Sequence, residues 1–275
     1  MKPSQNHEAV QKTGFTGRRP ILAIVLIEVA LFLALFSAGA YLTMNELTDQ
    51  SPVPYAFVPF AIVLAAYLLL HKRWQRYGFR SMAGVPRREL LFYLPLVIDI
   101  LVVLTNGIVN GFEFVSTSHV LYLLFLALLV AFVEETIYRG LILNILLQKG
   151  ARTAVIVSSL LFSLTHLLNL MGGQDLAATL LQLLYALLVG LSLSLLFVKH
   201  GSLLPLMAFH FLHDFTQFLV ADAESVLFDS LVVAALLFSC IWLILDVRKN
   251  GSTRAGFSSD KSGGSAPGTK PTLSE

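Results

Sequence analysis

Three short stretches carry residue types able to do chemistry: Glu134-Glu135-Thr136-Ile137-Tyr138-Arg139, Phe162-Ser163-Leu164-Thr165-His166 and His210-Phe211-Leu212-His213-Asp214. Residues four apart share a helix face, so Glu135 can pair with Arg139 and lower the cost of burying either charge. Glu134 lies about 100° around the helix from Glu135 and has no such partner, which leaves it available for other work. His210 and Asp214 are stacked in the same way, the relation by which a carboxylate orients an imidazole and selects its tautomer. A carboxylate with two imidazoles, Glu134 with His166 and His210, can act by two routes. Glu134 can take a proton from water and later return it. Alternatively, the three side chains can ligate zinc, since two histidines and a glutamate form a catalytic ligand set. Both routes end in water attacking a carbonyl.

The elements that must position these groups are membrane helices. Of the 275 residues, 56% are hydrophobic and 13% charged, with a mean hydropathy of +0.76. The apolar residues arrive in runs near twenty, too much apolar surface for one soluble core. Eight stretches are long enough to cross a bilayer: 20–42, 54–71, 90–109, 118–148, 152–169, 177–198, 203–221 and 226–246. Continuous apolarity, without the alternation of membrane strands, predicts an all-α, polytopic membrane protein. The first run contains Glu28 and is longer than the apolar region of a signal peptide, so it is read as an uncleaved first helix.

Lysine and arginine set the orientation. They fill the N-terminal tail, the loop from Lys72 to Arg88, Lys149 and Arg152, Lys199 and the C-terminal tail, whereas the intervening loops carry only acidic residues such as Glu46, Glu113, Asp175 and Asp222. This alternation predicts that both termini are cytoplasmic. The cluster from Lys72 to Arg88 fixes orientation and touches anionic headgroups, so the formal charge of +2 does not point to nucleic acid. The organisation expected is an N-terminal tail over 1–19, an eight-helix domain over 20–246 with its motif core at 118–221, and a Gly/Ser/Pro-rich disordered tail over 247–275. One cysteine, Cys240, allows no intramolecular disulfide and no cysteine-based zinc site.

With the loops set aside, the ionisable residues left at depth are Glu28, Asp99, Glu134, Glu135, Arg139, His166, His210, His213 and Asp214. Such groups are costly in a bilayer and mark function by default. Glu134, His166 and Asp214 each lie about 14 positions from the cytoplasmic end of their span, roughly 21 Å on an ideal helix, which predicts one polar layer shared by three helices. Two rival readings use the same residues. A proton- or ion-coupled transporter would string Glu28, Asp99, Glu134 and Asp214 into a relay across the membrane, and a non-catalytic scaffold would keep them as a satisfied polar knot. Asp99, with Asn106 in the same span, is expected to hydrogen-bond within the bundle.

In this order and on separate membrane helices, Glu134-Glu135-x-x-x-Arg139, Phe162-x-x-x-His166 and His210-x-x-x-Asp214 resemble the CaaX protease and bacteriocin-processing family (the CPBP or Abi family of type II CaaX prenyl endopeptidases). The resemblance covers about residues 118–221 and implies an intramembrane endopeptidase open to the cytoplasmic side of the cell membrane. Carried over residue by residue, it implies that Glu134 is the catalytic glutamate, with His166 helping it activate water. His210 and Asp214 match the residues that stabilise the oxyanion or position the water, and Glu135 with Arg139 form a structural pair. The last motif position is Asn in the best-known eukaryotic members. Ionised Asp214 cannot donate to an oxyanion as an amide can, so its expected role here is to orient His210. Short loops and the lack of an appended domain resemble the bacterial branch, which implies peptides or membrane-associated proteins as substrates, through CaaX-type processing, bacteriocin maturation or self-immunity. No cofactor is implied on the glutamate route, and zinc on the metal route.

Overall fold

The computed structural model describes residues 15–45, 53–72, 74–114, 116–221 and 225–259. Eight longer helices account for most of these: α1 (Pro20–Met44), α2 (Val53–Leu70), α3 (Leu94–Asn110), α4 (Thr117–Glu135), α5 (Ala151–Thr165), α6 (Leu176–His200), α7 (Leu204–Leu219) and α8 (Val226–Ser259). The all-α expectation holds among the described residues, where the only β feature is an isolated bridge between Phe112 and Val220. Among the described residues, six helical segments are long and apolar enough to cross a membrane: Pro20–Tyr41, Arg87–Asn110, Thr117–Lys149, Ala151–Leu170, Leu176–His200 and Val226–Lys249. The helix over the second expected stretch offers a shorter apolar segment, Ala56–Leu70, and α7 has 16 residues, shorter than the stretch read for it. The last helix passes the boundary set at 246 and ends at Ser259. The rest of that tail, and residues 1–14 of the N-terminal tail, lie outside the described residues.

Among the described residues, α4 and α6 start on side-chain caps. Ser116 accepts from the His119 amide at the start of α4, and Asp175 accepts from the Ala178 amide at the start of α6, each satisfying a donor that the first turn leaves orphaned. α6 ends on Gly201 in the left-handed region, with φ +67°. A Cβ there would overlap Arg80, whose Nε donates to the Gly201 carbonyl at 2.6 Å. This arginine therefore caps the carbonyl end of α6, where a cation is favoured by the helix dipole. The same end gathers Ser202 Oγ on the Arg80 carbonyl at 2.6 Å, and Lys199 Nζ between Glu89 at 2.7 Å and Asp246 at 2.6 Å. At the opposite end, Glu113 N donates to Leu219 O at 2.8 Å and Ala221 N to Gly111 O at 3.1 Å. Loops assigned to the basic side thus meet one another, and so do the loops assigned to the acidic side.

α7 packs between two other helices. It lies against α4 on one flank and α3 on the other, while α5 pairs with α6 and α8 with both α3 and α6. Gly190 permits the close approach of α5 and α6, because a Cβ there would stand 3.1 Å from the Ser159 Cα. α1 and α2 lie outside this group: α2 packs on α4, and α1 packs on α2 and on the segment that follows α5.

Candidate active site

Two of the three motif-bearing helices leave α-helical geometry at the motif, while α7 stays α-helical through His210 and Asp214. α4 ends at Glu135 and continues as a π-helix over Thr136–Leu143, and α5 ends at Thr165 and tightens into a 3-10 helix over His166–Gly172. π-segments are rare and concentrate at functional sites, since the wider turn rotates following side chains relative to the α-helical register. Side chains from outside the ladder serve the carbonyls of this one. Ser158 Oγ of α5 donates to Tyr138 O at 2.8 Å, and Asn144 Nδ2 donates to Gly140 O at 2.7 Å. The common depth estimated from an ideal rise per residue therefore needs correction for α4, whose path to the membrane surface is part π-helix and part 3-10 helix.

Glu134, Glu135, Arg139, His210 and Asp214 nonetheless converge. Arg139 and Glu135 pair through Nη1 and Oε1 at 2.7 Å, with both side chains 0% exposed. The same Glu135 oxygen lies 2.9 Å from His210 Nδ1. An ionised carboxylate only accepts, so Nδ1 carries the proton and donates. Glu135 is thus a bridge between a buried guanidinium and an imidazole, a wider part than pairing with Arg139. On the far side of the ring, His210 Nε2 stands 3.3 Å from Asp214 Oδ2 and 3.7 Å from Glu134 Oε2. Orientation of the ring through Nδ1 therefore comes from Glu135, whereas Asp214, expected to orient it, faces Nε2. The 3.7 Å separation is too long for a direct hydrogen bond and suits groups that share a small polar molecule.

His166 reaches this group differently. Its Nδ1 lies 3.0 Å from the Phe162 carbonyl, and since a carbonyl only accepts, Nδ1 is the donor and Nε2 of the neutral ring keeps its lone pair. Phe162 is the shared neighbour: its ring is 5.2 Å from the His166 ring, 6.0 Å from the His210 ring and 5.1 Å from the Tyr138 ring, centroid to centroid. The Arg139 guanidinium lies over its face at 4.4 Å, a cation-π contact in a desolvated setting. His166 is also within electrostatic reach of His210 and Asp214.

A second buried pair lies beside the first. His213 Nδ1 and Asp99 Oδ2 are 2.7 Å apart, and the Tyr185 ring stacks on His213 at 4.9 Å. The partner of His213 sits 114 positions away on α3, beyond any pattern within one helix. The expectation that Asp99 bonds within the bundle is met by this contact, and Asn106 accepts from Asn110 at 2.6 Å. Glu28 on α1 lies within electrostatic reach of Tyr138.

Among the described residues no three His, Cys, Asp or Glu side chains are arranged to hold a metal ion. The Nδ1 atoms of His166 and His210 are engaged by a carbonyl and a carboxylate, so Nε2 is the atom of each ring that faces any ligand.

Residues 115–216 match the family model described as type II CAAX prenyl endopeptidase Rce1-like. The matched segment runs from just before α4 into α7 and contains Glu134, Glu135, Arg139, His166, His210 and Asp214, whereas Glu28 and Asp99 lie outside it. No curated protein matches the chain.

Proposed function

We propose that this chain, an integral multi-pass membrane protein that resembles the type II CAAX prenyl endopeptidases over residues 115–216, hydrolyses peptide bonds within the membrane with Glu134 as general base. The observation that carries the reading is the position of His210, held through Nδ1 by Glu135 and presenting Nε2 to Glu134 and Asp214. A water between Glu134 and the lone pair of His166 loses a proton to Glu134 as its oxygen bonds to the substrate carbonyl carbon. Negative charge then gathers on the carbonyl oxygen. Protonated His210, stabilised by Glu135 and Asp214, donates to that oxygen from Nε2, in a site where little water competes. Glu134 returns its proton to the amide nitrogen as the C–N bond breaks, releasing a carboxyl and an amine terminus.

The Arg139 charge supports this arrangement from behind, since it balances Glu135 and leaves that carboxylate able to hold an imidazolium. Eight crossings with both termini cytoplasmic would place the Lys72–Arg88 loop and the Lys199–Gly201 corner on the side from which substrate enters. Substrates on this reading are peptides or the ends of membrane-associated proteins, through CaaX-type processing or bacteriocin maturation. Asp99 pairs with His213 through Oδ2, a contact that accounts for its place in the bundle without a relay. The test is cleavage of lipidated and unlipidated peptides by purified protein in liposomes. Wild type cleaves and folded Glu134→Gln does not; equal cleavage by the two would overturn the assignment.

A further inference from the structure

A sizeable cavity lies apart from the site. It holds about 650 Å³ between α1, α2 and the π-segment, with apolar walls from Leu26, Ile27, Phe60, Leu64, Ile137 and Leu141. Neither Glu134, His166, His210 nor Asp214 lines it. A second cavity of about 320 Å³ adjoins it, bounded by Arg76, Arg80 and Gly201 among others. Arg76 and Asn144 line both, so the two chambers meet at a guanidinium and an amide. One chamber is mostly apolar, and the other mixes polar and apolar walls and holds two arginines at the basic end of the bundle.

We propose that this double chamber is a binding site for one anionic phospholipid, with an acyl chain in the apolar chamber and the head phosphate between Arg76 and Arg80. Charge complementarity names the occupant. Arg80 spends Nε and Nη2 on the Gly201 and His200 carbonyls and keeps its Nη1 donors, while the exposed Arg76 side chain offers a planar fork suited to phosphate oxygens. A zwitterionic lipid fills the same apolar space, but its own cation opposes the two arginines. The Asn144 amide donates to Gly140 O, so an occupied chamber packs on the residues that terminate the π-segment.

The test uses the full chain, purified in mixed micelles with phosphatidylglycerol or phosphatidylcholine, and counts retained lipids by native mass spectrometry. Wild type retains one phosphatidylglycerol about tenfold better than phosphatidylcholine. Arg76→Gln, at an exposed position, keeps the thermal midpoint and lowers phosphatidylglycerol retention to that of phosphatidylcholine. Ala30→Phe, which projects into the apolar chamber from its rim, lowers retention of both. Equal retention of the two lipids by wild type, or phosphatidylglycerol retention unchanged in Arg76→Gln, overturns the proposal. The readout uses no peptide hydrolysis, so its failure is separate from failure of the protease reading.

Discussion

Replacing Glu135 by Gln removes one charge and keeps the shape, at a position where two buried cations lean on one oxygen. Arg139, with its side chain 0% exposed and 2.7 Å away, is left as a buried charge without a counter-ion, which costs about 3–5 kcal/mol. His210 loses its charged acceptor at 2.9 Å, and a misaligned oxyanion donor costs about 10²-fold or more in rate. Stability and activity therefore both fall in the single variant, and a second substitution separates them. In Glu135→Gln with Arg139→Met, the stranded guanidinium is gone and most of the stability returns, because an ion pair replaced at both ends by groups of similar volume is often close to neutral. Activity does not return, since His210 still lacks its carboxylate. The assay pairs thermal unfolding followed by tryptophan fluorescence with peptide cleavage, both in liposomes. Recovery of wild-type cleavage in the double variant would refute the reasoning, for Glu135 would then serve Arg139 alone.

Asp99→Ala strips the partner from His213 at 2.7 Å and is expected to cost about 1–3 kcal/mol of stability, with a smaller loss of cleavage than Glu134→Gln; equal losses would place Asp99 in the chemistry. Gly190→Leu drives a side chain against the Ser159 backbone and lowers the unfolding midpoint by an amount equivalent to about 1–3 kcal/mol, whereas an unchanged midpoint would show that α5 and α6 separate freely. Chelation leaves cleavage intact on the glutamate route, and activity lost to chelator and restored by zinc would put a metal in its place.

The helices were legible because apolar runs need no partner to be recognised: every expected stretch contains a helix, from Pro20–Met44 to Val226–Ser259. Their departures from α-geometry were not. Nothing in Thr136-Ile137-Tyr138-Arg139-Gly140 signals a π-segment, whose carbonyls are served by Ser158 from another helix. The Glu135–Arg139 pair was legible as a spacing of four on one helix. The bond from His210 to the same carboxylate spans 75 positions, and that from His213 to Asp99 spans 114. Such partners are chosen by the packing of α7 between α3 and α4, which spacing along a single helix does not encode. Reading His210 and Asp214 as a pair found the contact at Nε2 and missed the second carboxylate, Glu135, at Nδ1.

The central claim is that Glu134 makes this chain a protease. New peptide termini compared between membranes of cells expressing wild type and cells expressing Glu134→Gln at equal level test it most directly. The account predicts termini present only with wild type, on membrane-associated proteins, which would identify the substrate and the cut together. Identical termini in the two samples, with broad coverage of membrane proteins and both forms folded, would contradict it.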